Sequence, residues 1–128
     1  MQLTVTLTAR DVAADLGVYD ELLACLGWER VVDLVDEEED DAEVEAAGWG
    51  PGGSEAVLWL VTGPVPTTGL HLRLPARSRA DVEAFHAAAH RRGLALSRPR
   101  RWAIYRRGEY SASALDPAGN RLEAVADE

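Results

Sequence analysis

The chain has 128 residues, 22 acidic and 13 basic, and a formal net charge of -9. That length suits one domain able to bury a core without structural metal, and a single cysteine, Cys25, excludes an intrachain disulfide and points to a reducing, cytoplasmic setting. So acidic a chain argues against nonspecific nucleic-acid binding, and with no apolar run approaching about 18 to 20 residues neither a signal peptide nor a membrane span is indicated.

The first element is "LTVTLT", residues 3–8, where Leu3, Val5 and Leu7 alternate with Thr4, Thr6 and Thr8 as in a half-buried strand. Asp11 then caps a helix with the apolar stripe Leu16, Tyr19, Leu22, Leu23 and Leu26, which Gly27 stops. "WERVVDLV" reads as a second strand, and "DEEEDDAEVE", residues 36–45, with eight acids in ten positions, as a solvated connection. "EAVLWLV", residues 55–61, is a further strand introduced by a Gly-rich turn.

After a linker at 62–69 the same programme starts again. "LHLRL", residues 70–74, alternates, Ser78 caps a helix buried through Val82, Phe85 and Ala89, and Gly93 ends it. "RWAIY", "YSASAL" and "NRLEAV" read as strands. The offsets repeat: Leu3 to Leu70 and Asp11 to Ser78 are 67 residues apart, while Gly27 to Gly93, Pro51 to Pro117 and Gly53 to Gly119 are 66 apart. One domain, 1–128, therefore reads as a module at 1–61, a linker at 62–69 and a second module at 70–126, each strand, helix and about three strands.

With the apolar member of each alternation under a helix, the polar members face a shared cup. Thr4, Thr6 and Thr8 face it from the first strand, and Glu55, Val57, Trp59 and Val61 from "EAVLWLV". His71 and Arg73 face it from "LHLRL", and Arg121, Glu123 and Val125 from "RLEAV". Trp49, Trp102, Tyr105 and Tyr110 lie in segments that border it.

The second half, from "HLRLPARSRADVEAFHAAAHRRGLAL" through Tyr105, Tyr110 and Ala112 to "DPAGNRLEAV", resembles the vicinal oxygen chelate superfamily, in its glyoxalase, bleomycin-resistance and dioxygenase branch. "TVTLTARDVAADLGVYDELLACLGW" carries the resemblance in the first half. It implies an α+β fold of two βαβββ modules forming a U-shaped mixed sheet with a shared concave cleft. It also implies a homodimer, and, in the enzymes, one divalent metal such as zinc, nickel, manganese or iron acting as a Lewis acid. The resemblance makes His71 and Glu123 metal ligands, with Glu123 the residue nearest the chemistry, while the matching positions of the first module hold Thr4 and Val57. A hairpin slipped by two residues would bring Glu55 in as a third ligand.

Two functions stay open at this level. The first is a protein that binds a small aromatic or apolar molecule without a complete metal site, stacked on Trp59 and oriented by Thr4, Thr6, Val57, His71, Arg73, Tyr105, Tyr110 and Arg121. The second is a metal-dependent lyase, isomerase or dioxygenase using His71 and Glu123. The pair His86 and His90 has the i, i+4 spacing of many zinc sites, but Phe85 and Ala89 claim the buried stripe and put the two imidazoles at its flank. The arginines of "RPRRWAIYRR" read as solvated charges on an edge strand, and Cys25 as a small buried hydrophobe.

Overall fold

A computed structural model describes residues 3–35, 43–102 and 107–127. The elements run β1 (Val5–Ala9), α1 (Val12–Ala24), β2 (Trp28–Val35), β3 (Val44–Pro51), β4 (Leu58–Thr62), β5 (His71–Pro75), α2 (Arg79–Arg91), β6 (Arg100–Arg101), β7 (Glu109–Leu115) and β8 (Arg121–Asp127). This is βαβββ twice. The strands form two four-stranded mixed sheets of identical topology, β1-β4-β3-β2 and β5-β8-β7-β6. In each, the first strand is parallel to the last and the other pairings are antiparallel. The residues cluster into two compact units, Met1–Asp20 with Trp28–Thr67, and Glu21–Gly27 with Thr68–Glu128.

In the first unit, alternation sends Leu7, Ala47, Trp49, Leu58 and Leu60 to one face, where all are buried. Trp49 is core, not cleft. Its ring centroid lies 5.3 Å from that of Tyr19 on α1, and its indole Nε1 donates to Asp20 Oδ1 at 2.9 Å. The Asp11 side chain caps α1 by accepting from Ala14 N. Gly27, at φ +81°, takes the left-handed turn after the helix. The strand β3 begins inside the acidic stretch that reads as a connection: Val44 and Glu45 belong to it, while residues 36–42 lie outside the described ones. Its small residues Ala46, Ala47 and Gly48 hide it from a search for β-branched runs.

In the second unit α2 covers its sheet with Val82, Phe85, Ala88 and Ala89 against Leu74, Ala112, Ala114, Leu122 and Ala124, all buried. Each large apolar side chain so removed from water contributes about 1.5–3 kcal/mol. Ser78 caps α2, its hydroxyl accepting from Asp81 N. Of the strand expected over "RWAIY", Arg101 lies in the exposed edge pair Arg100–Arg101, while Tyr105 and its neighbours at 103–106 fall outside the described residues.

Candidate functional site

The turn "DPAGN" sets the geometry. Asp116 Oδ1 accepts from Ala118 N at 3.0 Å and Asn120 N at 2.7 Å, its Oδ2 accepts from the Asn120 amide at 2.9 Å, and Gly119 supplies the left-handed residue at φ +92°. Asn120 Oδ1 accepts in turn from Leu70 N at 3.1 Å, and Arg121 N donates to Leu70 O at 2.7 Å. A hairpin turn is thereby tied to the start of β5, 50 residues earlier in the chain. That clamp fixes the β5–β8 register with His71 opposite Arg121 and Arg73 opposite Glu123.

The sheet face away from α2 carries a connected polar group. Glu123 is fully buried, at 0% exposure, yet its carboxylate is well supplied. Its Oε1 lies 2.8 Å from His71 Nε2 and 3.8 Å from Arg73 Nε, and its Oε2 accepts from the Ser111 hydroxyl at 2.7 Å. Ser111 Oγ accepts from the Trp102 indole at 2.8 Å, and the Arg100 guanidinium lies over the Trp102 ring at 4.2 Å. Arg73 also pairs with Glu109, and Arg121 Nε donates to Ser113 Oγ at 3.1 Å. A carboxylate taken out of water survives only when it is hydrogen-bonded and near positive charge, and this face provides both.

His71, Arg73, Arg121 and Glu123 are thus brought together. Tyr110 is not: it sits on the opposite face of β7, its hydroxyl donating to Glu83 of α2 and the Arg79 guanidinium stacked on its ring. The strand parity of "EYSASAL" explains this, because the same alternation that turns Tyr110 toward the helix turns Glu109, Ser111 and Ser113 to the open face. Sequence reasoning identified the strand and overlooked those three; treating alanine as the apolar member would have found them.

In the first unit, Thr6 and Thr8 of β1 share the face away from Leu7 with Trp59 and Val61, Thr4 is exposed before the strand, and Val57 is half-buried. The match of Val57 to Glu123 needs correction. Val5 pairs with Leu58 and Thr6 with Trp59, as Leu72 pairs with Leu122 and Arg73 with Glu123. With Thr6 and Arg73 equivalent at the 67-residue offset, Trp59 occupies the position of Glu123. The hairpin slips by two residues, but in the direction that draws Trp59 in: from Gly53 to Leu58 is five residues, against three from Gly119 to Leu122. Glu55 stays exposed in the turn.

The resemblance carries the expectation of a divalent metal in the enzymes, and the fit of one here rests on the donor set. His71 and Glu123 offer two donors, and among the described residues no group of three or more His, Cys, Asp or Glu is placed to hold a metal ion. Catalytic metal sites supply three protein ligands as a rule, so the described residues do not fit one. His86 and His90 sit one turn apart with ring centroids 6.0 Å apart, beside an open cavity of about 420 Å³ lined with Ala95, Leu96, Ser97 and Arg98, and have no third ligand among the described residues. Burial, with the Glu21 carboxylate nearby, pushes the Cys25 thiol above its ordinary range, which suits a packing role.

Solved structures share this architecture along its whole length. A glyoxalase/bleomycin resistance protein from Albidiferax ferrireducens matches with a TM-score of 0.73 at 22% identity, over 98% of this chain and 98% of its own. One from Catenulispora acidiphila matches at 0.67 and 19% identity, over 100% and 99%. A lactoylglutathione lyase from Agrobacterium tumefaciens matches at 0.65 and 21% identity, over 98% and 92%. No family model and no curated protein matches the chain. The chain therefore has the glyoxalase/bleomycin-resistance fold, built of two βαβββ modules. Among the described residues no helix is long and apolar enough to cross a membrane.

Proposed function

We propose that the chain is a vicinal-oxygen-chelate protein of the glyoxalase/bleomycin-resistance type that binds a small aromatic or apolar molecule without a complete metal site, as a cytoplasmic homodimer. The observation that carries this reading is the state of Glu123: the carboxylate in the metal-ligand position has Oε2 engaged by Ser111 and Oε1 by His71. The residue serves the architecture of a polar binding face. On the second sheet His71, Arg73 and Arg121 offer polar and charged groups to a ligand, and on the open face of the first sheet the half-buried Trp59 offers a surface for stacking.

The test is a tryptophan-fluorescence titration with a panel of small aromatic compounds, run beside a measurement of bound metal in protein purified without chelator. Saturable quenching is expected in metal-free protein. It should be lost in Trp59→Ala and weakened about ten- to a hundredfold in Arg121→Ala, as one charged hydrogen bond is worth about 1.5–3 kcal/mol. Near-stoichiometric metal that disappears in both His71→Ala and Glu123→Gln would overturn the reading in favour of a metal-dependent lyase, isomerase or dioxygenase.

A further inference from the structure

The chain of hydrogen bonds behind His71 has a direction, and its far end sets it. An indole N–H can only donate, so Ser111 Oγ must accept from Trp102 at 2.8 Å. The serine hydroxyl has one proton, and that proton goes to Glu123 Oε2 at 2.7 Å. Oε2 is therefore an acceptor. The other oxygen, Oε1, faces the guanidinium of Arg73 at 3.8 Å, a group that has only donors to offer it. With both oxygens facing donors, the proton in the 2.8 Å contact to His71 belongs to Nε2.

We propose that Trp102 and Ser111 are positioning residues that polarise this chain, so that Glu123 holds His71 as the Nε2–H tautomer and leaves Nδ1 as a hydrogen-bond acceptor for a ligand. The imidazole is 35% exposed although its carboxylate partner is fully buried. Its register partner across the sheet is Arg121, whose Nε is anchored on Ser113. An acceptor beside a cation selects for an organic acid that carries an O–H or N–H close to its anionic group. This specificity rests on the small-molecule reading above; the tautomer itself does not.

The experiment is long-range proton–nitrogen NMR of the imidazoles in histidine-labelled protein, at a pH where free imidazole is neutral, with the His71 signals assigned from His71→Ala. His86 and His90 act as internal references. Wild type should show His71 in the Nε2–H form alone. Ser111→Ala and Trp102→Phe should each convert it to a mixture of tautomers while the reference signals stay in place, and Ser111→Thr, which keeps the hydroxyl, should restore the single form. A wild-type His71 protonated on Nδ1, or a single tautomer that persists in both variants, would overturn the proposal. Should a variant unfold, as collapsed reference signals would reveal, the wild-type tautomer alone decides. No ligand enters the measurement, so an empty ligand screen would count against the binding reading and leave this result intact.

Discussion

The two modules share strand order, the parallel pairing of first and last strands, and burial of one sheet face, yet their open faces are opposites. Around the position of Glu123 the second module places Ser111, Ser113 and Arg73; around Trp59 the first places Ala46, Gly48 and Thr6 at the equivalent register positions. Where one hydroxyl, of Ser111, holds the carboxylate and another, of Ser113, anchors Arg121, the first module has small residues that make room for a ring. A Cβ on Gly48 would come within 3.2 Å of the Trp59 ring and 2.7 Å of Ala56 Cβ, so the glycine is what lets the indole lie on the sheet. The fold constrains the helix side of each sheet tightly and leaves the other side free to change its chemistry.

The comparison can be broken most severely at the hairpins that set the registers. The second module's turn is locked by Asp116, 5% exposed, which accepts from Ala118, from Asn120 N and from the Asn120 amide. The first module's longer turn has a Ser54 N to Pro51 O bond and a long contact from Gly53 N to Glu29. Asp116→Ala should therefore cost about 3 kcal/mol in urea unfolding, since three donors lose a charged acceptor inside the fold. It should also disturb His71, whose place depends on the clamp between Asn120 and Leu70. A loss under about 1 kcal/mol would mean that the strands alone hold the register.

Exchanging the central residues tests the open faces themselves. Glu123→Leu keeps volume but strips Ser111 and His71 of their acceptor; with His71 part-exposed and able to turn to water, a loss of about 2 kcal/mol is expected. Gly48→Ala in the first module should cost about 1 kcal/mol through the forced shift of Trp59 or Ala56, with a change in tryptophan emission. If Gly48→Ala proved neutral, the ring would be mobile over the sheet, and the stacking surface assigned to Trp59 would lose its support.

Much of this was legible in the sequence. The 67-residue offset and the alternations of "LTVTLT", "LHLRL" and "RLEAV" yield the two βαβββ modules and bring His71 and Glu123 to one face. Three things escaped. The strand Val44–Pro51 is made of alanine and glycine beside an acidic run, so hydrophobic periodicity is silent there. The equivalence of Trp59 with Glu123 depends on two extra residues in a turn, and an offset of 66 counted across that turn lands on Val57, one register step away on the same face. Ser111 follows from the alternation of "YSASAL" once alanine is taken as the apolar member, and Trp102 lies in a segment expected to border the cup, but the bonds that join them to Glu123 are tertiary contacts that no spacing rule encodes.

The smallest expected effect separates the helix starts. Asp11 caps α1 through one bond to Ala14 N, whereas at α2 the Asp81 carboxylate accepts from Arg77 N at 3.0 Å and Arg77 Nε at 2.8 Å while Ser78 caps. The Arg77 side chain, by hydrogen bond first and by charge besides, holds the Asp81 carboxyl below its ordinary range. A carboxyl lowered on folding contributes stability that is fully present above its unfolded value of 3.8 and is lost as the pH falls through the lower folded value. Urea midpoints measured downward from neutral pH should therefore decline less for Asp81→Asn than for wild type once the pH passes below that unfolded value. Because Arg77 is largely in solvent, water and salt screen the pair and the difference between the two curves should be slight, shrinking further as salt is added. Curves that stay parallel through the acid range would show that the Ser78 cap, not the Asp81 carboxylate, sets the start of α2.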